Sequence, residues 1–185
     1  MSASVLYMSM SLDGFIAGPN DEVGNAGGDN FGRLHDWIGN SKTSELLMGE
    51  MEATGAVLVG RRTAEQVDHY KGHHHGVPVF VCSRSLPGPS VENYPLVTYV
   101  TDGITSAMAK AKSAAGDRDV LVHGAYTAQR ALEAGVLDEL QIHQIPVLFG
   151  TGRRMFDFLP SRVEIEIVRV IDTAEATHIR YRVRR

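Results

Sequence analysis

Apolar residues recur along the chain at two spacings, and the alternation between them is the main fold signal. Val5 to Met10 mixes apolar and polar side chains in a short extended run, which predicts a strand. The glycine-containing stretch from Gly14 through Gly32 follows and is not expected to sustain a regular element. Loops of that length inside compact domains are commonly functional. From Ser44 to Thr54, Leu46, Leu47 and Met51 separate from Glu45, Glu50 and Glu52 at helical spacing, and Gly55 supplies a stop. Ala56 to Val59 is continuously apolar, as suits a strand covered on both faces, and Thr63 to Val67 reads as a helix. Val77 to Cys82 is a second strand of the covered kind. Beyond a proline-rich loop at Pro87, Pro89 and Pro95, Leu96 to Val100 reads as a strand. Ile104, Met108, Ala111 and Ala115 then mark a helix that Thr101 and Asp102 are placed to cap. Val120 to Val122, with Thr127 to Ala134 behind it and Gly135 placed to end the helix, repeats the step.

This alternation predicts an α/β domain with a mostly parallel sheet and helices on its faces. The last third differs. Leu140 to Val147 is extended, and Val163 to Ile171 and Thr177 to Val183 alternate apolar with charged residues around a connection carrying Asp172, as closing antiparallel strands do. The alternation slips between Ile167 and Val168, which fits a bulge or a strand passing from edge to interior. No linker divides the chain, so one domain over residues 1–185 is expected.

Composition narrows the function classes. With 185 residues and 43% hydrophobic content, one core is affordable without disulfide or metal staples. The net charge of −4 arises from 22 acidic and 18 basic residues with no block of like charge, which argues against nucleic acid or a membrane surface as partner. The single cysteine, Cys82, cannot form an internal disulfide and reads as a small core residue, consistent with a reducing cytoplasm. No segment approaches the ~18 continuous apolar residues of a membrane span, and no signal peptide is evident, so the protein is expected to begin near Met1. Arg180, Arg182, Arg184 and Arg185 alternate with apolar residues as the wet face of a strand.

Two segments share a design that bears on chemistry. Val57-Leu58-Val59 leads through Gly60 to Thr63, and Val120-Leu121-Val122 leads through Gly124 to Thr127. In each, a strand ends at a glycine and a helix begins at once, which points unpaired N–H groups and the positive end of a helix dipole beyond the sheet edge, a setting for phosphate. Two such turns on one edge would embrace a dinucleotide. Arg61 and Arg62 add positive charge, and Ser83-Arg84 offers a hydroxyl and a guanidinium for the 2′-phosphate that separates NADPH from NADH. No G-x-G-x-x-G or P-loop occurs. His73-His74-His75 reads as a solvent-exposed loop rather than a metal site. His123 is either a cofactor neighbour or a packed strand end. Among the acids Asp13, between an apolar strand and Gly14, is best placed to face a pocket, with a simple turn as the competing reading. Phe31 and Trp37 read as core packing, with an aromatic pocket wall as the alternative.

These residues resemble the dihydrofolate-reductase-like superfamily, in the branch similar to the reductase domain of the bifunctional riboflavin-biosynthesis deaminase-reductase. The resemblance is carried by Met8-Ser9-Met10-Ser11-Leu12-Asp13-Gly14-Phe15-Ile16-Ala17, Val59-Gly60-Arg61-Arg62-Thr63, Ser83-Arg84-Ser85-Leu86-Pro87, Val122-His123-Gly124-Ala125 and the stretch from Gly135 to Phe156. It implies a single α/β domain with antiparallel C-terminal strands that binds NADPH across the strand ends. Gly60, Arg61, Arg62 and Thr63 would meet its phosphates, Ser83 and Arg84 the 2′-phosphate, and Gly124, Ala125, Tyr126 and Thr127, next to His123, the pyrophosphate. The segment from Asp13 through Ala17 and Gly18 would flank nicotinamide and substrate, and a homodimer is implied. One departure is that His123-Gly124-Ala125 stands where the family often has two or three glycines. Another is that the tryptophan-containing loop motif of true dihydrofolate reductases is missing, Glu45 being the positional candidate for their helix carboxylate.

The function expected is NADPH-dependent hydride transfer to a C=N or C=O carbon of a pterin-like or aminopyrimidine-like small molecule. Positioning would supply most of the catalysis, and Asp13 or a bound water would manage the proton. The alternative is an NADP(H)-binding sensor that has lost turnover.

Overall fold

The structure, a computed structural model, describes residues 2–39, 43–88, 91–157, 159 and 161–184. Met1, Pro89 and Arg185 lie outside the described residues. In chain order the elements are β1 (Ser4–Ser11), β2 (Phe15–Ala17), α1 (Ser44–Ala53), β3 (Thr54–Gly60), α2 (Arg61–Gln66), β4 (Val79–Cys82), β5 (Val97–Val100), α3 (Ile104–Ala115), β6 (Asp119–His123), α4 (Ala125–Glu133), β7 (Glu139–Ile145), β8 (Arg153–Arg154), β9 (Ile165–Asp172) and β10 (Thr177–Val183). The eight-stranded sheet runs β5-β4-β3-β6-β1-β7-β10-β9. From β5 to β7 every neighbouring pair is parallel, and β10 is antiparallel to both β7 and β9. This is the mostly parallel α/β sheet with antiparallel C-terminal strands that the patterning predicts.

The continuous apolar runs are strands covered on both faces. Along β3, Ala56 and Leu58 enter one core with Ala107, Met108 and Ala111 of α3, whereas Val57 and Val59 enter a second with Val79, Val81 and Leu121. A third core holds Leu34, Trp37 and Ile145. Trp37 is fully buried, as its core reading requires, stacks on His143 at 4.2 Å and donates to Ser9 Oγ at 3.0 Å.

Gly135 ends α4 as expected. At φ +65° it donates to Leu132 O, while Val136 donates to Ala131 O, a Schellman closure. The expected caps of α3 do not form. Gly103, at φ +95°, is the N-cap, and the Asp102 carboxylate accepts from Ser106 Oγ and Lys110 Nζ. The 14–32 stretch is also more ordered than predicted: it contains β2, which pairs with β8. Asp21 then binds the loop down, accepting from Gly27 N, Gln66 Nε2 and Arg153 Nε.

The slip in alternation at Ile167 and Val168 is a bulge. Arg180 pairs with Arg169 and Tyr181 with Ile167, so Val168 has no partner across β10. On α1 the expected division of faces is corrected: Met48 and Met51 are exposed, and Glu50 turns inward with a side chain only 12% exposed. Its position three residues beyond Leu47 puts it on the inner face, and Arg169 of β9 reaches it at 2.9 Å.

Candidate functional site

Because β1, β3, β4 and β6 are parallel members of one sheet, Ser11, Gly60, Cys82 and His123 end at the same edge, where open α/β sheets place ligands. A cleft of about 1020 Å³ opens there. Gly60, Arg61, Arg62 and Thr63 line it from one turn, and Gly124, Ala125, Tyr126 and Thr127 from the other. Ser83 and Arg84 line it beyond β4, and Ala17 from the first loop. The structure therefore gathers most of the residues expected at the cofactor around one volume. Gly124 has φ +91°, and a β-carbon there would stand 2.9 Å from Thr63 Oγ1, so the turn is built for glycine.

The charges are partly engaged. Arg61 Nε pairs with Glu65 at 2.7 Å and its Nη1 donates to both Ser85 Oγ and Leu86 O. Arg62 donates to Asp21 O and lies 3.5 Å from the Asp21 carboxylate. Ser83 Oγ donates to Ser85 O at 2.8 Å. Arg84 is exposed on the rim. Arg130 and Arg153 also line the cleft, which sequence reasoning missed. Helix α2 has only six residues, and its first turn adds the charge of Arg61 and Arg62 to its uncapped N–H groups.

Three expected residues are placed otherwise. Gly18 lines neither the cleft nor the second cavity described below but packs on the Asp29 backbone, with its N–H on Gly27 O. Asp13 also lines neither cavity. Its carboxylate accepts from Ser11 Oγ at 2.6 Å, Phe149 N at 3.1 Å and Gly150 N at 2.7 Å, tying the 149–150 loop to the end of β1. The Ser11 hydroxyl, and then the two amides, hold it down at about 2. A carboxylate so occupied fastens that loop to the end of β1. His123, finally, lines a second cavity instead of the cleft.

That second cavity, a chamber of about 520 Å³, lies between α1 and the sheet, with Tyr7, Trp37, Leu47, Tyr70 and Leu121 among its walls. Its acid is Glu50. Burial pushes the Glu50 carboxyl up, against the opposing pull of Tyr7 and Arg169, and burial likewise pushes the Tyr7 phenol up. Glu50 Oε2 and Tyr7 Oη are both buried and face each other, with no other partner among the described residues. A buried carboxylate met only by a phenol and one guanidinium keeps room for a further donor. Sequence reasoning named Glu45, which is exposed. Met8, Phe31, Thr63 and Val67 line both cleft and chamber, so the two volumes meet. Among the described residues no three His, Cys, Asp or Glu side chains are grouped to hold a metal, and no helix is long and apolar enough to cross a membrane.

A model of the RibD C-terminal domain matches residues 4–179. The chain belongs to the RibD C-terminal domain family. It is 23% identical to the uncharacterized protein YwjB of Bacillus subtilis (strain 168), over 96% of each chain. Among solved structures it is similar to a protein of Shewanella sp. PV-4 named for riboflavin biosynthesis, at 23% identity and a TM-score of 0.78 over 99% of both chains. It is also similar to the diaminohydroxyphosphoribosylaminopyrimidine deaminase/5-amino-6-(5-phosphoribosylamino)uracil reductase of Thermotoga maritima, at 16% identity and a TM-score of 0.66. There it matches with 98% of its own length and spans 56% of that longer chain. Both structural likenesses concern the fold, and membership rests on the family match.

Proposed function

We propose that this RibD C-terminal domain protein is an NADPH-dependent reductase that places a hydride on a C=N or C=O carbon of a small pterin-like or aminopyrimidine-like molecule. The observation that carries the reading is the meeting of two cavities at Met8, Phe31, Thr63 and Val67. One is a long arginine-rimmed cleft and the other a compact aromatic chamber holding a single buried carboxylate. The name of the Thermotoga relative, which includes a uracil-derivative reductase, points the same way.

NADPH, when bound, supplies the hydride. The cleft fits it: Gly124 and Gly60 keep side chains out of the path of a phosphate, and Arg61, Arg62 and Arg84 offer guanidinium groups to phosphate oxygens. Ala17 and Ile16 cover the inner end. In the chamber, Glu50, beside Tyr7, accepts from an amino or ring N–H of the substrate, while Trp37 and Tyr70 exclude water from the reacting carbon. Asp13 positions the 149–150 loop and takes no proton. A homodimer formed on the β9 edge belongs to the same proposal.

The test is fluorescence titration with NADPH and NADH, followed by absorbance assays of NADPH oxidation with dihydropterins and ribosylaminopyrimidines. Saturable NADPH binding with preference over NADH, and oxidation with at least one substrate, is the expected result. Loss of that preference in an Arg61→Ala, Arg84→Ala double variant supports the cofactor placement, and an unchanged preference removes it. Tight NADPH binding with no oxidation across the panel would favour the sensor reading.

A further inference from the structure

His123 ends β6, and its surroundings are built around it. Its Nδ1 lies 2.8 Å from the Tyr70 hydroxyl, and the His74 ring meets both rings edge-on, at 5.6 Å from His123 and 5.1 Å from Tyr70. Tyr70 reaches this position from an unusual turn. Asp68, His69, Tyr70 and Lys71 have φ of 44°, 52°, 55° and 57°, four successive left-handed residues with no glycine among them. L-residues resist that conformation, because it brings the β-carbon against the following carbonyl oxygen. The turn is held by Lys71 Nζ on Asp68 at 2.6 Å, Tyr94 Oη on Asp68 at 3.3 Å and His69 Nε2 against Tyr99 Oη at 2.8 Å. Strain that surrounding contacts maintain marks a place where position matters more than local stability.

The protonation pattern follows from the partners. Burial holds the Tyr70 hydroxyl protonated, and burial, with His74 nearby, holds His123 neutral, down at about 3. The Tyr70 hydroxyl has no other acceptor among the described residues. It therefore donates to Nδ1, because the opposite arrangement would bury an unpaired phenolic proton. A neutral imidazole that accepts at Nδ1 carries its proton on Nε2. That nitrogen forms no hydrogen bond to any described residue, and His123 lines the chamber.

We propose that His123, oriented by Tyr70, is a specificity-determining hydrogen-bond donor of the chamber, which selects a substrate presenting a carbonyl oxygen to its Nε2–H. The inference rests on the chamber being the substrate site. With Glu50 accepting and His123 donating, the chamber recognises a flat heterocycle carrying both a donor and an acceptor edge. Tyr70 is a positioning residue that acts through the imidazole. A site built around a buried donor discriminates strongly against a ligand that leaves the donor unpaired.

The experiment uses the full chain with ¹⁵N-labelled histidine and two probes of the same ring, 5,6-diaminouracil and 2,4,5,6-tetraaminopyrimidine, the second bearing amino groups in place of carbonyls. In the free protein the His123 ring should be the neutral Nε2–H tautomer from pH 6 to 8. In Tyr70→Phe that preference should give way to a tautomer mixture while the other histidine signals stay in place. Diaminouracil should shift the His123 Nε2 signal and bind at least ~10-fold more tightly than tetraaminopyrimidine. That ratio should fall to about one in His123→Leu and be partly kept in His123→Gln. A protonated Nδ1, a normal histidine titration, equal binding of the probes by wild type, or no effect of either probe on His123 overturns the inference. NADPH titration of the same samples separates the readings. Absence of NADPH binding removes the reductase proposal, whereas NADPH binding without probe discrimination removes only the role of His123.

Discussion

Gly60 presses against Thr127: a β-carbon on Gly60 would stand 2.8 Å from the Thr127 hydroxyl oxygen. The contact has a mirror, since a β-carbon on Gly124 would stand 2.9 Å from Thr63 Oγ1. Each turn thus packs its glycine on the threonine three residues into the other turn, and this interlock sets the spacing of the cleft floor. The two glycines differ in backbone, Gly60 at φ −81° and Gly124 at φ +91°. Gly60→Ala should therefore be destabilising only through the contact, and Thr127→Ala should relieve most of the loss in a double-mutant cycle. Gly124→Ala should cost ~1–3 kcal/mol for its left-handed backbone, a loss that Thr63→Ala does not recover. Thermal unfolding of the six variants and the wild type distinguishes the two cases. Equal rescue at both positions would mean that the interlock alone governs the turns.

Asp13 gives a second test. As a fastening for the 149–150 loop it should act on stability and loop order. Asp13→Asn is expected to lower the melting temperature and to speed proteolysis between residues 147 and 152, with NADPH affinity changed by no more than about twofold. Its carboxyl is held below the ordinary value in the folded chain, by Ser11 and then by the Gly150 and Phe149 amides. Its contribution is therefore complete above pH ~4 and is lost as the pH falls toward 2. An enzyme whose pH–rate profile loses a limb in Asp13→Asn, with stability unchanged, would restore the acid role.

The elements were readable where a periodic pattern met a terminator: the apolar runs of β3, β4 and β6, the glycine stop of α4, and the slip that marks the bulge at Val168. The two glycine turns were readable for the same reason, because a strand end and a helix start are local events. What escaped depends on contacts distant in sequence. Asp13 looks like a pocket acid until the amides of Phe149 and Gly150 fold onto it. Glu50 looks like one of three surface acids until Arg169 of β9 arrives beside it. Tyr70 lies in a left-handed turn that contains no glycine before Gly72, so no turn signal announces it. The direction taken by His123 follows from register, since it pairs with Val59 on the face opposite α3 and α4.

Buried neutral histidines should make the protein acid-sensitive. His123 and His74 are pushed down by burial to about 3 and about 4. His143 and His178, buried with Nδ1 atoms 2.6 Å apart, share one proton, and burial lowers both, helped by Arg169 and opposed at His178 by Asp172 and Glu175. For each group the folded value lies below the unfolded one. The unfolded chain thus binds the extra protons, and stability falls as pH drops below ~6.5, by up to ~1.4 kcal/mol per pH unit for each histidine involved. Urea midpoints measured from pH 7.5 to 4.5 should decline steadily, and His123→Gln should shallow the decline. A flat profile between pH 7 and 5 would contradict the burial of these rings.

Glu50 should show a conflict between stability and function. Burial raises its carboxyl, so the folded chain holds that proton to higher pH than the unfolded chain and loses stability as the group ionises with rising pH. Replacing the carboxylate by an amide removes that cost. Glu50→Gln is expected to melt no lower than wild type at pH 8, yet to lower NADPH-dependent turnover at least ~10-fold, because the chamber loses its charged acceptor. A variant that melts lower and keeps full activity would identify Glu50 as a structural partner of Arg169 and nothing more.

The last prediction concerns the sheet edge. Ile165 pairs with Val183, Ile167 with Tyr181 and Val170 with Ile179, and paired residues in antiparallel strands share a face. The bulge at Val168 is what keeps Ile165, Ile167 and Val170 together on the side where Tyr181 and Val183 reach the core under α3 and α4. All three are nevertheless exposed, Ile167 to 65%, as is Val168. An apolar stripe on an open edge strand favours burial against a second copy of the same stripe, the geometry of a two-fold dimer. Light scattering should give the mass of a dimer for wild type and of a monomer for Ile167→Lys, Val170→Lys. The helical and strand circular dichroism should be unchanged, because neither side chain belongs to the buried core. A wild-type monomer at micromolar concentration would leave the stripe without this partner and withdraw the dimer from the proposed function.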